Sequence, residues 1–280
     1  MRRGPWPRRH WLPSCLVNLA LLLLTAVTLF PLLWMVSVSL LSAEEAARLP
    51  PPLWPRQPTL ANYRLLFQRL DIGRYALNSA MIAATVTLLS LLLNALAGYA
   101  FAKLRFAGRE RLFRVLLAVM VIPGQAAMLP LFLMLRELGL INTYAGVIVP
   151  GAASIFGIFL IRQHAQSIPD SLLDAARIDG AGELRIFWSL VLPLCRPILV
   201  TLAMFTFMGS WNDFMWPLIV LTGSERHTLP VALANLLGEH VQDPELMMAG
   251  AVLTTLPVIL LFLALQRHYL EGLVQGGVKD

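Results

Sequence analysis

The stretch "DAARIDGAGELRIFWSLVLP", Asp174–Pro193, sets five charged residues, two glycines and a proline inside a chain of 280 residues that is 58% hydrophobic and 14% charged. A water-soluble domain carries about a quarter charged residues, and the mean hydropathy here is +0.69. Lipid is therefore the expected solvent for most of the chain. Within hydrocarbon each charge of the stretch would cost on the order of 3 kcal/mol, and its glycine-rich turn would leave backbone groups unpaired. It reads as a loop outside the bilayer, and the apolar material on either side of it reads as membrane spans.

Working outward, the apolar residues fall in blocks close to the roughly 20 residues that a helix needs to cross a hydrocarbon core. They are Leu12–Leu41, Tyr75–Ala102, Leu112–Leu135, Ala145–Ile161, Pro197–Leu221 and Met247–Gln266. The expected fold is all-α and polytopic, with six transmembrane helices. Residues 1–11 form an N-terminal segment, 12–267 the membrane domain with a loop at about 162–196, and 268–280 a tail.

Basic residues near span ends are retained on the cytoplasmic side. With both termini inside, that side holds Arg2, Arg3, Arg8 and Arg9; Lys103, Arg105, Arg109, Arg111 and Arg114; Arg162, Arg177, Arg185 and Arg196; and Arg267 and Lys279. These are 15 of the 22 basic residues. Five of the remaining seven, Arg48, Arg56, Arg64, Arg69 and Arg74, crowd one outer loop and oppose the assignment. The net charge of +6 is mostly this topology signal, so nucleic acid is not an expected partner. The first apolar run is longer than the apolar region of a signal peptide and is expected to stay as an uncleaved span. Cys15 and Cys195 are not expected to form a disulfide.

The loop has a pattern of its own. Ser167 is placed to cap a helix, with Pro169 in its first turn, and Gly180 is placed to end it. Helical spacing puts Ile168, Leu172, Leu173, Ala175 and Ala176 on one arc and Asp170, Asp174 and Arg177 on the other. A second short helix, Glu183–Leu190, is expected to follow the Gly180–Gly182 hinge and to end before Pro193. Pattern alone leaves two readings open, a solvated loop and a docking surface for a partner.

The sequence "IPDSLLDAARIDGAGELRIFWSLVLPLCRP", Ile168–Pro197, resembles the EAA loop of ABC importer permeases. Asp174, Ala175, Ala176, Gly180, Leu192 and Pro193 occupy the motif positions, with Asp174 where Glu is usual. The likeness extends along the chain. "LWPRQPTLANYRLLF" at Leu53–Phe67, "NSAMIAATVTLLSLLLNALAGYAFAKLRF" at Asn78–Phe106, "IPGQAAMLPLFLMLRELGLINTYAGVIVP" at Ile122–Pro150, "SWNDFMWPL" at Ser210–Leu218 and "YLEGLVQGGVKD" at Tyr269–Asp280 resemble the maltose- and glycerol-phosphate-type inner-membrane subunits of the carbohydrate branch. The resemblance implies an importer-type permease fold in a bacterial inner membrane, with the loop as coupling helices that sit in a cleft of an ATP-hydrolysing subunit. It also implies a second, related permease, a dimer of ATP-binding subunits and an extracytoplasmic solute-binding protein as partners, and a carbohydrate, polyol or sugar phosphate as cargo.

On that resemblance Asp170, Asp174, Ala175, Ala176, Arg177, Asp179, Gly180 and Pro193 are the expected coupling residues. Asp174 and Arg177 would offer charged contacts, Ala175 and Ala176 would allow close approach, and Gly180 would set the angle between the two short helices. Trp211, Asn212, Asp213 and Trp216 are the candidate residues of a translocation path. Glu44, Glu45, Trp54, Asn62 and Tyr63, with Glu239, Asp243 and Glu245, are the outer-loop candidates for meeting a binding protein.

An importer needs a motor, and this chain offers none. A nucleotide-binding Walker loop needs a lysine followed by serine or threonine, whereas Lys103 precedes Leu104 and Lys279 precedes Asp280. No histidine pattern suits a metal and no nucleophile elbow occurs, so no catalytic, cofactor-binding or metal-binding residues are expected. The rival reading is an ion-coupled secondary transporter or channel subunit, which would place an ionisable group near mid-membrane. Asp213 is the one strong candidate for that group. It has an alternative reading as a hydrogen-bonded residue near the end of the fifth span.

Overall fold

The computed structural model describes residues 11–48, 50–69, 71–239 and 243–277, with side chains for 16–48, 50–68, 71–235 and 243–266. The expected N-terminal arginines and Lys279 lie outside the described residues. In chain order the helices are α1 (Trp11–Ser39), α2 (Ala43–Ala46), α3 (Ala61–Arg69), α4 (Ile72–Lys103), α5 (Arg109–Val119), α6 (Met128–Glu137), α7 (Tyr144–Gly151) and α8 (Ile155–Gln166). They continue as α9 (Asp170–Ile178), α10 (Glu183–Ile186), α11 (Leu192–Leu194), α12 (Arg196–Trp211), α13 (Met215–Val220), α14 (Leu229–Glu239) and α15 (Pro244–Gly277). No strand occurs among the described residues.

Four segments are long and apolar enough to cross a membrane unaided: Leu16–Ser39, Ile72–Lys103, Tyr144–Gln166 and Pro244–Gln266. Two bent pairs, Arg109–Val119 with Gly124–Glu137 and Glu183–Leu194 with Arg196–Trp211, bring the number up to six if each pair is one span. The expected third span is one of these. It bends by 96° between α5 and the run Gly124–Glu137, where Pro123 supplies no N–H to continue the ladder. Pro130, by contrast, sits in the first turn of α6, where the missing donor is harmless. The expected fifth span, Pro197–Leu221, is also not one rod, because α12 stops at Trp211 and α13 starts only at Met215. α15 runs on to Gly277, beyond the expected end of the sixth span at Gln266.

The chain forms two compact units. The first comprises residues 1–70 and 237–253. Its long α1 exposes Leu16, Leu19, Leu22, Val27, Phe30 and other apolar side chains. Such surface suits lipid contact, because hydrocarbon is as apolar as leucine. Val38, Leu41 and Ala46 form its small core with Trp34 and Met248. Asn62 on α3 donates to the carbonyls of Ser39 and Leu41, each at 2.9 Å, and the Tyr63 hydroxyl lies 2.7 Å from the Ser39 hydroxyl. The buried Glu45 carboxylate accepts the N–H of Arg56 at 3.2 Å. Three of the expected outward contacts, Glu45, Asn62 and Tyr63, are thus spent on building the loop. Glu245 is also buried, whereas Glu44 and Trp54 are exposed.

The second unit comprises 71–236 and 254–280, and α4 is its hub, packed along α8 and α12. Close approach is possible because Gly98 has no side chain: a Cβ there would lie 2.6 Å from Ile161 Cγ2 and 3.0 Å from the Arg162 nitrogen. Buried polar groups then act as interhelical glue. Asn94 donates to the Ser90 hydroxyl at 2.7 Å and accepts the Ser154 N–H at 3.0 Å, which ties the α7–α8 junction to α4. Asn78 donates to the carbonyls of Glu225 and His227 and accepts the Tyr144 hydroxyl. The turn at Asn142 adopts φ 56°, a left-handed conformation asparagine tolerates. Its side chain accepts the Gly223 N–H at 2.8 Å.

Candidate functional site: a helical elbow and a cavity

The loop between α8 and α12 is a folded elbow of two limbs. α9 forms because Pro169 precedes its first turn and Asp170 lies at its positive end. Ser167 does not cap it as expected. Its hydroxyl donates backward to the His164 carbonyl at 2.7 Å, and Ser167 closes the C-terminus of α8 instead. α9 ends at Ile178, with Asp179 as the residue that flanks its C-terminus. Gly180 follows at φ 83°. The Gly180 N–H reaches the Arg177 carbonyl at 3.0 Å and the Ala181 N–H reaches the Ala176 carbonyl at 2.9 Å. These two bonds are the paired closures of a Schellman motif, which a glycine at that position makes inexpensive.

The second limb is longer than expected. α10 passes through a π-helical turn, Phe187–Val191, into α11, so Pro193 lies inside the helical run rather than beyond its end. The wider turn before Pro193 changes the hydrogen-bond register just where proline lacks its N–H. The chain then bends by 79° into α12.

Beneath the elbow lies a core of Ala95 and Tyr99 from α4, Ala165 from α8, and Ile168, Leu173, Ile186, Phe187, Val191 and Cys195. The buried stripe of α9 is narrower than its helical spacing suggests. Leu173 is buried and Ala176 half-buried, while Leu172 and Ala175 are exposed. Ile178 at 86%, Leu184 at 70% and Trp188 at 52% exposure join them outside, so the free surface of the elbow is apolar as well as charged. Helical phasing alone missed this, because those residues lie on two limbs whose angle is set by the Gly180 turn.

The charged residues pair with one another. Arg177 donates through Nη1 to Asp174 Oδ1 at 2.7 Å and through Nε to Glu183 Oε1 at 2.8 Å. Asp170 accepts from Lys103 Nζ at 2.6 Å. The Lys103 ammonium holds the Asp170 carboxyl below the usual carboxylate range. The Glu183 carboxyl is likewise held low, first by its hydrogen bond from Arg177 and then by that from Tyr99. Arg177 is pushed above its usual range, chiefly by its bond to Glu183, and stays charged. The pairings of Lys103 with Asp170 and of Tyr99 with Glu183 carried no sequence signal, since they span 67 and 84 residues.

Deeper in the same unit is a cavity of about 680 Å³. Three interruptions of helix line it: Gly124 and Gln125 before α6, Gly151 and Ser154 at the α7–α8 junction, and Asp213 between α12 and α13. Broken backbone at membrane depth is tolerated where it is buried in protein or lines a water-filled cavity. Thr206, Ser210 and Asp213 continue one face of α12 into it. Asp213 Oδ1 accepts the Trp216 N–H at 3.3 Å and so starts α13. Of the four candidate path residues, Asp213 and Trp216 line this cavity. Trp211 is buried elsewhere, donating to the Thr254 carbonyl at 2.9 Å, and Asn212 donates to Met208. Among the described residues no cluster of His, Cys, Asp or Glu could hold a metal.

Comparison with known proteins agrees with this architecture. Residues 94–273 match the family model described as binding-protein-dependent transport system inner membrane component. An arabinooligosaccharides transport system permease protein, AraQ of Halalkalibacterium halodurans, is 37% identical, with all of both chains covered. The lactose transport system permease protein LacG of Rhizobium radiobacter is 33% identical over 97% of this chain and 98% of its own. The trehalose/maltose transport system permease protein MalG of Thermococcus litoralis is 31% identical over 97% and 99%. Among solved structures, a chain of a bacterial ABC transporter involved in import of the acidic polysaccharide alginate superposes with a TM-score of 0.83 at 24% identity, over 95% of this chain and all of that one. With its spans, its elbow and relatives matched end to end, the chain belongs to the family of binding-protein-dependent transport system inner membrane components.

Proposed function

We propose that this multi-pass inner-membrane permease subunit conducts a carbohydrate or related polyol, driven by ATP hydrolysis in a partner chain. The supporting observation is the elbow: a two-limbed projection whose core packs against α4 and α8 while Ile178, Leu184 and Trp188 are exposed. Apolar side chains rimmed by Asp174 and Arg177 form a surface suited to a cleft in another protein. The names of the relatives support a sugar cargo. In this reading Asp170, Asp174, Ala175, Ala176, Arg177, Asp179, Gly180 and Pro193 shape the contact with a dimer of ATP-binding subunits, on the cytoplasmic side with both termini. A second, related permease completes the pathway, and an extracytoplasmic solute-binding protein delivers the cargo. The cavity lined by Asp213 and Trp216 is this chain's share of the path.

A nucleotide-driven push on the elbow would shift the helices joined to it between two packed arrangements. No bond is made or broken in this chain. The test is co-purification of the chain with its ATP-binding subunits, followed by reconstitution in liposomes. ATP-dependent solute entry with the full set is the expected result. Entry through the purified chain alone would overturn the reading in favour of an autonomous carrier or channel.

A further inference from the structure

The elbow is joined through the backbone to α8 and α12, yet its side chains grip a third helix. Lys103, the last residue of α4, has a side chain only 6% exposed. Its ammonium donates to the Ile168 carbonyl and to Asp170 Oδ1, both at 2.6 Å, and so holds the start of α9. One turn earlier on the same face of α4, the Tyr99 hydroxyl donates to Glu183 Oε2 at 2.5 Å, at the start of α10. The other oxygen of Glu183 accepts Arg177 Nε, and Arg177 Nη1 reaches Asp174, so the end of α9 joins the same chain of bonds. Between these grips the rings of Tyr99 and Phe187 meet at 5.6 Å between centroids, and Leu173 is buried.

We propose that Tyr99, Lys103 and Glu183 are positioning residues that clamp both limbs of the elbow to the end of α4, so that α4 moves with the elbow as one body. The inference rests on the reading of the elbow as the docking surface for an ATP-hydrolysing partner. Three features carry it. The bonds are short and charge-assisted, the strong class of hydrogen bond. They fasten α4 to two separate points, the start of α9 and the start of α10, and Arg177 ties the end of α9 to the second, which removes the freedom to pivot that one bond would leave. Lys103 is also a nearly buried side chain, and parting α4 from the elbow would give up both of its bonds together with that packing. The destination of the motion matters too, because Val86 and Ser90 of α4 line the cavity. A stroke delivered to α4 therefore reaches the cavity wall directly, in addition to the route through α8 and α12.

The test uses the whole importer, co-purified with its ATP-binding subunits and placed in lipid nanodiscs, and needs no knowledge of the cargo. Cys15 and Cys195 are replaced by alanine, and spin labels are attached at Leu88→Cys on α4 and Ser171→Cys on α9, both at exposed positions. The label distance is read without nucleotide and after trapping with ADP and vanadate. In the otherwise unaltered chain the distance stays the same in both states. In Lys103→Met with Glu183→Gln, and to a lesser degree in the milder Tyr99→Phe, trapping changes or broadens it while ATP hydrolysis continues. A role confined to stability would lower the yield of complex and leave the distance constant, and that result overturns the clamp. So does a distance that already changes in the unaltered chain. If no ATP-binding subunit co-purifies even with the unaltered chain, the parent reading fails and the clamp falls with it.

Discussion

Gly180 shows how one residue sets the shape of the elbow. Its φ of 83° is a left-handed conformation that costs a residue bearing a Cβ about 1–2 kcal/mol. Nothing lies within 4 Å of a Cβ built there, so the penalty is conformational and owes nothing to crowding. Gly180→Ala is expected to lower stability by about 1 kcal/mol in a denaturant or thermal melt of the detergent-solubilised chain. Gly180→Val is expected to cost more and to abolish most transport while the complex still hydrolyses ATP. Wild-type transport by Gly180→Val in vesicles would show that the angle is unimportant. Asp213 offers a second test. Its carboxylate begins α13 by accepting the Trp216 N–H. Asp213→Ala is expected to destabilise by about 1 kcal/mol, while Asp213→Asn, which keeps an acceptor, stays near the parent in the same melt.

Among the helices, α4 depends on what it lacks as much as on what it carries. Gly98 brings it against α8, where even a methyl group would meet the β-branched Ile161 side chain at 2.6 Å. Gly98→Val is expected to cost about 3 kcal/mol or more through overpacking, read as loss of folded protein on size-exclusion chromatography. The elbow makes a prediction about pH. Asp170 and Glu183 have carboxyls held below their ordinary range, so the stability their pairing contributes is present above the unfolded-state pKa of about 4 and is lost as pH falls through the lower folded values. Transport per ATP hydrolysed should therefore be flat from about pH 6 to 8 and decline only in acid. A step within the neutral range would implicate another group. The spans themselves were readable from composition, and the EAA-like stretch announced the elbow. The 96° break at Pro123 was signalled only by the proline, since mean hydropathy does not register a missing N–H. The charge pairs of the elbow were illegible for another reason: Tyr99 finds Glu183 across 84 residues, and no local pattern encodes which helix will lie beside which.

For the whole molecule, energy source separates the proposed importer from its rival. A subunit worked by a nucleotide-driven neighbour should lose uptake when ATP is depleted and keep it when the proton gradient is dissipated with ATP maintained. Persistence of uptake without ATP, followed with a labelled neutral oligosaccharide in intact cells, would restore the ion-coupled carrier with Asp213 as its coupling group. The large apolar surface of α1 belongs to the same scale, since a chain exposing so much leucine and valine is stable only where lipid or another subunit replaces water.

The sequence by itself determined that the chain is built of membrane helices with one charged elbow between the fourth and fifth. Transfer of apolar side chains into lipid depends on composition, and a helix end depends on near neighbours such as Gly180. The tertiary structure alone decided that three helix breaks meet at one cavity, that Trp211 turns away from it while Trp216 faces it, and that Lys103 and Tyr99 hold the elbow. Those outcomes depend on packing between segments far apart in the chain, where a glycine at 98 and an asparagine at 94 select the neighbours that distant side chains will meet.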